Sequence, residues 1–165
     1  DKSLYNKIIE LKDFGRLDRN TQDHDAIGYN FKFTDILAAV GIEQMKKLPW
    51  RLKRKKEMFR LFEDQLKSVD RIAFVKTNLE ETSPWFIDII VPDPLTLQEF
   101  LKEKQIGTRV FYPAIHTTKP YKGKDYFPNS LWASEHGLWL PSSTFLKDSD
   151  IIRVCNAIKL FYENH

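Results

Sequence analysis

The sequence predicts an α/β fold of the α+β kind, in which helices are followed by a small, mostly antiparallel sheet with helices packed on one face. The first observation is that three segments within residues 3–67 carry apolar side chains at helical spacing, and none of them is strand-like. The second is that residues 72–162 alternate short runs of β-branched and aromatic side chains with short helical patterns. A sheet made of such short runs needs a helical layer to bury its apolar face.

Three helices are predicted in the first half of the chain. Ser3 is a candidate N-cap for the first helix, and Gly15 ends that helix ahead of a polar loop over 16–28. Thr34 is a candidate N-cap for the second helix, and Pro49 closes this helix or lies in the first turn of the third. The predicted helices cover residues 3–14, 34–48 and 50–67.

Four strands and three helices are predicted in the second half. The strands cover residues 72–75, 85–91, 108–112 and 138–140. The helices cover residues 97–101, 129–136 and 148–162. Apolar positions along the last helix predict an inward face made of Ile151, Ile152, Cys155, Ile158 and Phe161. We expect a division into a helical segment, 1–68, and a C-terminal α/β domain, 69–165.

The composition excludes several classes of function. The 165 residues carry a formal net charge of +3, which does not require a polyanionic partner such as a nucleic acid. Cys155 is the single cysteine, so an intramolecular disulfide and a cysteine-based zinc site are excluded. None of the four histidines (His24, His116, His136 and His165) has another histidine three or four residues away, so there is no helical metal pair. No apolar run reaches the roughly 20 residues that span a bilayer, and we expect a cytoplasmic protein without a metal site.

A segment ahead of the second predicted helix is the first candidate site. Asn30 and Lys32 place an amide and a cation two residues apart, immediately before Thr34. Helix N-termini attract anions through free N–H groups, and both side chains add hydrogen-bond donors. The alternative is a structural turn in which Asn30 caps its own loop.

A predicted strand end and the loop beyond it form the second candidate site. Arg109 and Tyr112 lie at the end of the strand, and His116 and Lys119 lie in the loop. Ligands of open α/β sheets commonly bind at this place. Arginine binds phosphate or carboxylate through its fork of N–H groups, and tyrosine and histidine donate hydrogen bonds or stack. The alternative is a polar loop held by proline and aromatic packing.

A basic run over 51–56 lies in the third predicted helix. Its charges spread around more than half of the helix circumference and are followed by acidic residues at Glu57, Glu63 and Asp64. We interpret this run as a solvated helix face. The alternative is an anion-binding surface, which for a nucleic acid requires a steep salt dependence of binding.

Several segments, taken in order, resemble the motifs of a known family. Residues 28–32, GYNFK, and 35–48, DILAAVGIEQMKKL, are similar to the G-Y-N-x-R and Q-A-A-x-G-x-x-Q-L-x-x-L motifs of the DegT/DnrJ/StrS-type sugar-nucleotide aminotransferases. Residues 109–116, RVFYPAIH, resemble the R-x-x-Y-P loop of that family and its following histidine. Residues 138–142, LWLPS, resemble its L-P-L-H segment, although Ser142 stands where the family has histidine, and no role is assigned there. The resemblance covers essentially the whole chain.

Members of that family are fold type I enzymes that depend on pyridoxal 5'-phosphate. The resemblance implies that this chain is the C-terminal portion of such an enzyme, with its small domain at 69–165. Residues 1–68 would then link to a large domain and lie near the dimer contact. In the family the large domain carries the lysine to which the cofactor is attached, and no lysine here stands in the S-F-x-x-x-K setting. We therefore expect this chain alone to be catalytically inert, with no catalytic residue in it. The absence of an initial methionine is consistent with the expectation of a fragment or the ordered part of a longer polypeptide.

The resemblance also implies roles for individual residues. Asn30 would contact the cofactor phosphate of the neighbouring subunit in a homodimer. Lys32, which replaces the usual arginine, would lie near the substrate diphosphate without the bidentate fork. Tyr112 and His116 would line the substrate side, with Arg109 nearby. The complete enzyme would transfer an amino group from glutamate or glutamine to a nucleotide-linked keto-sugar, and the competing interpretation is a non-catalytic remnant that acts as a binding or assembly module.

Overall fold

The computed structural model describes residues 1–18, 20, 23–121, 123 and 125–164, so His165 of the predicted histidine set lies outside the described residues. The chain forms two compact units, Asp1–Leu48 and Pro49–His165. In chain order the elements are α1 (Lys2–Lys12), α2 (Asp35–Leu66), β1 (Ala73–Phe74), β2 (Ile87–Ile90), α3 (Pro94–Glu103), β3 (Arg109–Val110), α4 (Pro128–His136), β4 (Gly137–Leu140) and α5 (Asp148–Asn164). Two 3₁₀ turns, Ile115–Thr117 and Lys119–Tyr121, lie between β3 and α4.

The N-cap of helix α1 is Asp1, two residues before the predicted cap Ser3. The carboxylate of Asp1 accepts hydrogen bonds from the backbone N–H groups of Ser3, at 2.8 Å, and Leu4, so the prediction of Ser3 as the N-cap is wrong. A carboxylate satisfies these free N–H groups and also carries the negative charge that a helix N-terminus favours. The helix ends at Lys12, ahead of a turn in which Phe14 and Gly15 both have positive φ.

Helix α2 is continuous through Pro49, so the prediction of two helices divided at this residue is wrong. Proline removes one backbone hydrogen bond in a helix interior, at a cost of about 3 kcal/mol. The helical apolar spacing resumes directly after it, and Met58, Phe59, Phe62 and Leu66 are buried in the core of the second unit. At the other end, the hydroxyl of Thr34 accepts a hydrogen bond from the backbone of Leu37, which confirms the predicted cap.

The second unit has the predicted fold, a small antiparallel sheet with helices on one face. The sheet has the strand order β1-β2-β4-β3, and every neighbouring pair is antiparallel. Ile87 and Ile89 of β2 are fully buried in a core shared with α2, α3 and α5. Asp88 alternates with them and therefore lies on the other face, in register with Trp139 of β4 and, beyond it, Arg109 of β3.

Helix α5 supplies most of its predicted inward face to this core. Ile151, Cys155, Ile158 and Phe161 are buried, as expected. Ile152 is 39% exposed, however, and Val154 is buried, so the inclusion of Ile152 was wrong. The buried positions follow steps of three and four residues, and Ile152 lies about 100° around the helix from Ile151.

Part of the basic run in α2 faces the protein and not the solvent. The Arg54 guanidinium donates to the carboxylate of Asp148 at 2.8 Å and to the carbonyl of Leu146 at 2.6 Å. The Lys55 ammonium donates to the carbonyls of Trp85, at 2.7 Å, and Ser142, and its partial burial lowers its pKa. For these two residues the interpretation as a solvated face is wrong, because they bind the loop between β4 and α5 and, through Trp85, the segment ahead of β2.

The first unit has a different character. Among its described residues, the buried ones are Glu10, Asp13 and Gly15, so none carries an apolar side chain. The large apolar residues of α2 that precede Leu48 are exposed, including Ile36 at 80% and Met45 at 64%. Hydrogen bonds and ion pairs between the end of α1 and residues 24–32 therefore order this unit.

Candidate functional site

The first candidate site is the segment over 28–33, which is joined to the end of α1 by backbone hydrogen bonds. The N–H of Tyr29 donates to Leu11 at 2.6 Å, and the N–H of Phe31 donates to Lys12 at 3.0 Å. Asn30, between them, forms a β-bridge with Asp13. Two hydrogen bonds form this bridge, from Phe31 to Lys12 and from Phe14 to Tyr29, and together with the bond from Tyr29 to Leu11 they hold the backbone at Asn30.

The side chain of Asn30 is available to a ligand. It is exposed, and within the part of the chain that the structure describes its amide makes no hydrogen bond. The alternative from the sequence, in which this amide caps its own loop, is therefore not the arrangement in the structure. The aromatic rings of Tyr29 and Phe31, on either side, stack on each other at 5.2 Å.

The ammonium of Lys32 lies between a carboxylate and an aromatic ring. It is 3.0 Å from the carboxylate of Asp13 and 4.3 Å from the centre of the Phe14 ring. The same carboxylate accepts a hydrogen bond from Arg16 at 2.8 Å. The hydrogen bond from Arg16, and after it that from Lys32, lower the pKa of Asp13 from 3.8 to about 2. Two cations thus meet one buried carboxylate, and the side chain of Lys32 remains 42% exposed.

The low pKa of Asp13 predicts how acid affects stability. A carboxyl group whose pKa is lower in the folded state stabilises the fold above its unfolded pKa, and that contribution is lost as pH falls through the folded pKa. We expect the stability difference between the wild type and Asp13→Asn to shrink as the pH falls from 4 to 2. Thermal unfolding of both proteins across this pH range measures the stability difference. The other carboxylates titrate in both proteins, so their contributions cancel in the difference. A difference that stays constant would contradict the prediction.

The second candidate site lies in the second unit, at the end of β3. The guanidinium of Arg109 lies over the ring of Tyr112 at 4.5 Å, and Tyr112 packs edge-on against Trp139 at 4.9 Å. Stacking through its face leaves the N–H edges of a guanidinium available for an anion. Within the described residues Arg109 has no carboxylate partner, and it is exposed. The structure therefore brings together the predicted residues Arg109 and Tyr112.

His116 lies in the first 3₁₀ turn after β3. The hydroxyls of Thr117 and Thr118 donate to the carbonyls of Ala114 and Ile115, both at 2.7 Å, and these bonds stabilise the turn. The imidazole packs edge-on against Phe127 at 5.2 Å. It faces an open cavity of about 490 Å³. The cavity is lined by Pro113, Ala114, Ile115, His116, Tyr121, Phe127 and Ser130.

Sequence reasoning missed two groups next to these sites. Asp13 lies inside the first predicted helix, 3–14, whereas in the structure α1 ends at Lys12 and Asp13 is its C-cap. Trp139 was considered only as part of a strand, yet its ring stacks on Phe86 at 4.6 Å and on Phe111 at 5.0 Å. Partial burial raises the pKa of Asp88, which lies across from Trp139 in the sheet, and the side chain of Trp139 opposes this shift.

Among the described residues, no group of three or more histidine, cysteine, aspartate or glutamate side chains has the arrangement of a metal site. None of the helices in the described part of the chain is both long and apolar enough to cross a membrane.

The fold is shared with part of solved aminotransferase structures. The chain superimposes on the aminotransferase TlmJ from Streptoalloteichus hindustanus with a TM-score of 0.89 and 22% identity, covering 99% of this chain and 46% of that one. The structure of DesI in the presence of its TDP-sugar product matches with a TM-score of 0.78 and 23% identity, over 97% of this chain and 43% of that one.

The sequence comparison identifies the family. Residues 1–159 match the DegT/DnrJ/EryC1/StrS aminotransferase family, and the chain belongs to it. A GDP-perosamine synthase from Escherichia coli O157:H7 is 30% identical over 169 residues, which cover 99% of this chain and 46% of that protein. The chain therefore spans about half the length of this relative.

Proposed function

We propose that this chain is part of a pyridoxal 5'-phosphate-dependent enzyme that transfers an amino group from glutamate or glutamine to a nucleotide-linked keto-sugar. The family match over residues 1–159 is the observation that carries the proposal. A GDP-perosamine synthase as a relative and a TDP-sugar product in a structural neighbour both support a sugar nucleotide as the substrate.

The donor groups of the first site fit the phosphate of the cofactor. Asn30 offers two amide N–H groups without a partner in the described chain, and Lys32 offers a cation with N–H groups to spare. Charge-assisted hydrogen bonds of this kind are the strong ones in anion recognition. When bound, the cofactor supplies the electron sink that amino-group transfer requires. In this proposal Asn30 binds the phosphate oxygens in a homodimer, and Lys32 adds positive charge near the phosphate groups of cofactor or substrate.

The second site fits the sugar nucleotide. In this proposal the guanidinium of Arg109 binds a phosphate oxygen, held in place by the ring of Tyr112. The phenol of Tyr112 and the imidazole of His116 donate hydrogen bonds to the substrate. Neither group has a hydrogen-bond partner among the residues that the structure describes. The exposed apolar side chains of α2 before Leu48 support a homodimer in which a second copy covers them. A cytoplasmic location stays a prediction from the sequence.

The first test is made on the natively produced protein. We expect an intact mass about twice the 19.5 kDa of this chain, the visible absorbance of bound pyridoxal phosphate, and amination of a nucleotide-linked keto-sugar with glutamate or glutamine, detected by mass spectrometry. We expect residues 1–165 produced alone to be inactive in the same assay. A natively produced protein of 19.5 kDa without cofactor or activity would overturn the proposal and favour a binding or assembly module.

A pair of substitutions separates the two sites. Asn30→Ala is expected to raise the Kd for pyridoxal phosphate at least about tenfold, because a hydrogen bond to a charged group contributes roughly 1.5–3 kcal/mol. It should leave the Kd for pyridoxal, which lacks the phosphate, unchanged. His116→Ala is expected to raise the KM for the sugar nucleotide or lower kcat while the cofactor Kd stays constant. Each variant is the control for the other. The assignment would be contradicted if Asn30→Ala and His116→Ala weakened the binding of cofactor and sugar nucleotide to the same extent.

A further inference from the structure

The carboxylate of Asp13 connects the end of α1 to the segment that carries Asn30. It is 2% exposed and lies 2.8 Å from the Arg16 guanidinium and 3.0 Å from the Lys32 ammonium. Arg16 is close in sequence, whereas Lys32 lies at the far end of the loop. The ion pair with Lys32 therefore links two parts of the chain separated by 19 positions, directly beside Asn30.

Backbone contacts extend this link to Asn30 itself. Asp13 and Asn30 form the β-bridge, and the N–H of Phe14 donates to the carbonyl of Tyr29 at 3.0 Å. The two residues that flank Asn30 donate to Leu11 and Lys12. Asn30 thus takes its position from the chain around Asp13, while its own side chain stays exposed.

The charges explain why a carboxylate is needed at this position. The Lys32 ammonium lies 4.3 Å, and the Arg16 guanidinium 5.6 Å, from the centre of the Phe14 ring. These two positive charges repel each other. The carboxylate between them compensates this repulsion, and a buried charge with two partners is costly to remove. An amide in its place would leave two like charges side by side and release the Lys32 end of the loop.

We propose that Asp13 is a positioning residue for phosphate binding, because its carboxylate holds Lys32 and the adjoining Asn30 in the geometry that receives the phosphate. The inference rests on the proposed function, since it takes the phosphate to be that of the cofactor. Asp13 does not touch the ligand and acts through Asn30 and Lys32.

The test compares Asp13→Asn with Glu10→Gln in the natively produced protein after removal of the cofactor. Glu10 is a matched control because it is also a buried carboxylate at the end of α1, and it forms an ion pair with Lys7, at 2.9 Å, outside the loop. We expect Asp13→Asn to raise the Kd for pyridoxal phosphate about tenfold, the size of effect that a small misplacement of a binding group produces. The Kd for pyridoxal should not change, and Glu10→Gln should change neither.

Hydrogen exchange supplies a second readout that does not need the cofactor. The amides of Tyr29 and Phe31 should exchange faster in Asp13→Asn and at the wild-type rate in Glu10→Gln. The proposal is overturned if Asp13→Asn leaves both the phosphate-dependent affinity and these exchange rates unchanged, if it weakens pyridoxal phosphate and pyridoxal equally, or if Glu10→Gln has the same effects. A wild-type protein that binds pyridoxal phosphate no better than pyridoxal would instead refute the proposed function.

A second variant tests the proposal if far-ultraviolet circular dichroism shows that Asp13→Asn does not fold. Asp13→Glu keeps the charge and moves it by one methylene group. We expect it to fold, to bind pyridoxal phosphate several-fold more weakly and to bind pyridoxal normally. A folded Asp13→Glu protein with wild-type affinity and wild-type exchange at Tyr29 and Phe31 would overturn the proposal.

Discussion

Replacing Gly15 with alanine is expected to disrupt the loop that carries Asn30. Gly15 has a φ of +78°, and a Cβ added there would lie 1.8 Å from the carbonyl oxygen of Ala26. The left-handed conformation costs an L-residue roughly 1–2 kcal/mol, and a backbone clash cannot be relieved by turning a side chain. We expect the free energy of unfolding of this loop to fall by at least about 2 kcal/mol.

The measurement is hydrogen exchange at Asp25 and Ala26, whose amides donate to the carbonyl of Gly15 at 2.9 and 3.1 Å. Both amides should exchange much faster in Gly15→Ala, and the Kd for pyridoxal phosphate should rise. Gly107→Ala is the control, since a Cβ there would meet nothing within 4 Å. Wild-type exchange at both amides in Gly15→Ala would show that the loop geometry described above is wrong.

Truncating Ile151 is expected to cost far more stability than truncating its neighbour Ile152. Ile151 is fully buried in the core of the second unit, whereas Ile152 is 39% exposed. Isoleucine to alanine in a core costs about 2–5 kcal/mol, because both transfer free energy and packing contacts are lost. We expect a loss of about 3 kcal/mol for Ile151→Ala and below about 1 kcal/mol for Ile152→Ala.

Urea unfolding of the natively produced protein, followed by far-ultraviolet circular dichroism, measures both losses. The two variants delete the same atoms from adjacent positions of one helix, so helix propensity changes equally in both. Equal losses would mean that α5 is rotated relative to the arrangement described here, with Ile152 toward the sheet. This pair therefore also tests the correction that the structure makes to the predicted inward face of α5.

The helices and strands of the second unit could be predicted because their signals are local. The apolar spacing of α5 and the β-branched run of β2 reflect which side of each element is buried, and such patterns need no knowledge of the partner. The division of one helix into two at Pro49 failed for the opposite reason. A single proline predicts a break, yet the helix continues through it to Phe62 and Leu66, which are buried.

Asn30, Arg109, Tyr112 and His116 are candidates from the sequence alone, because their residue types and motif spacing suggest a binding role. Their surroundings could not be found in this way. The position of Arg109 over the ring of Tyr112 depends on how the chain turns after β3. The packing of Trp139 against Tyr112 depends on the pairing of β3 with β4. Neither contact has a signature in local sequence.

The sequence by itself determined the fold class, the resemblance to the family and the candidate ligand-binding side chains, because periodicity and short motifs are properties of neighbouring residues. Tertiary structure alone decided the strand order β1-β2-β4-β3, the continuity of α2 and the meeting of Asp13 with Lys32. These depend on contacts between residues distant in sequence, whose free energies come from burial and from charges brought close together by the fold.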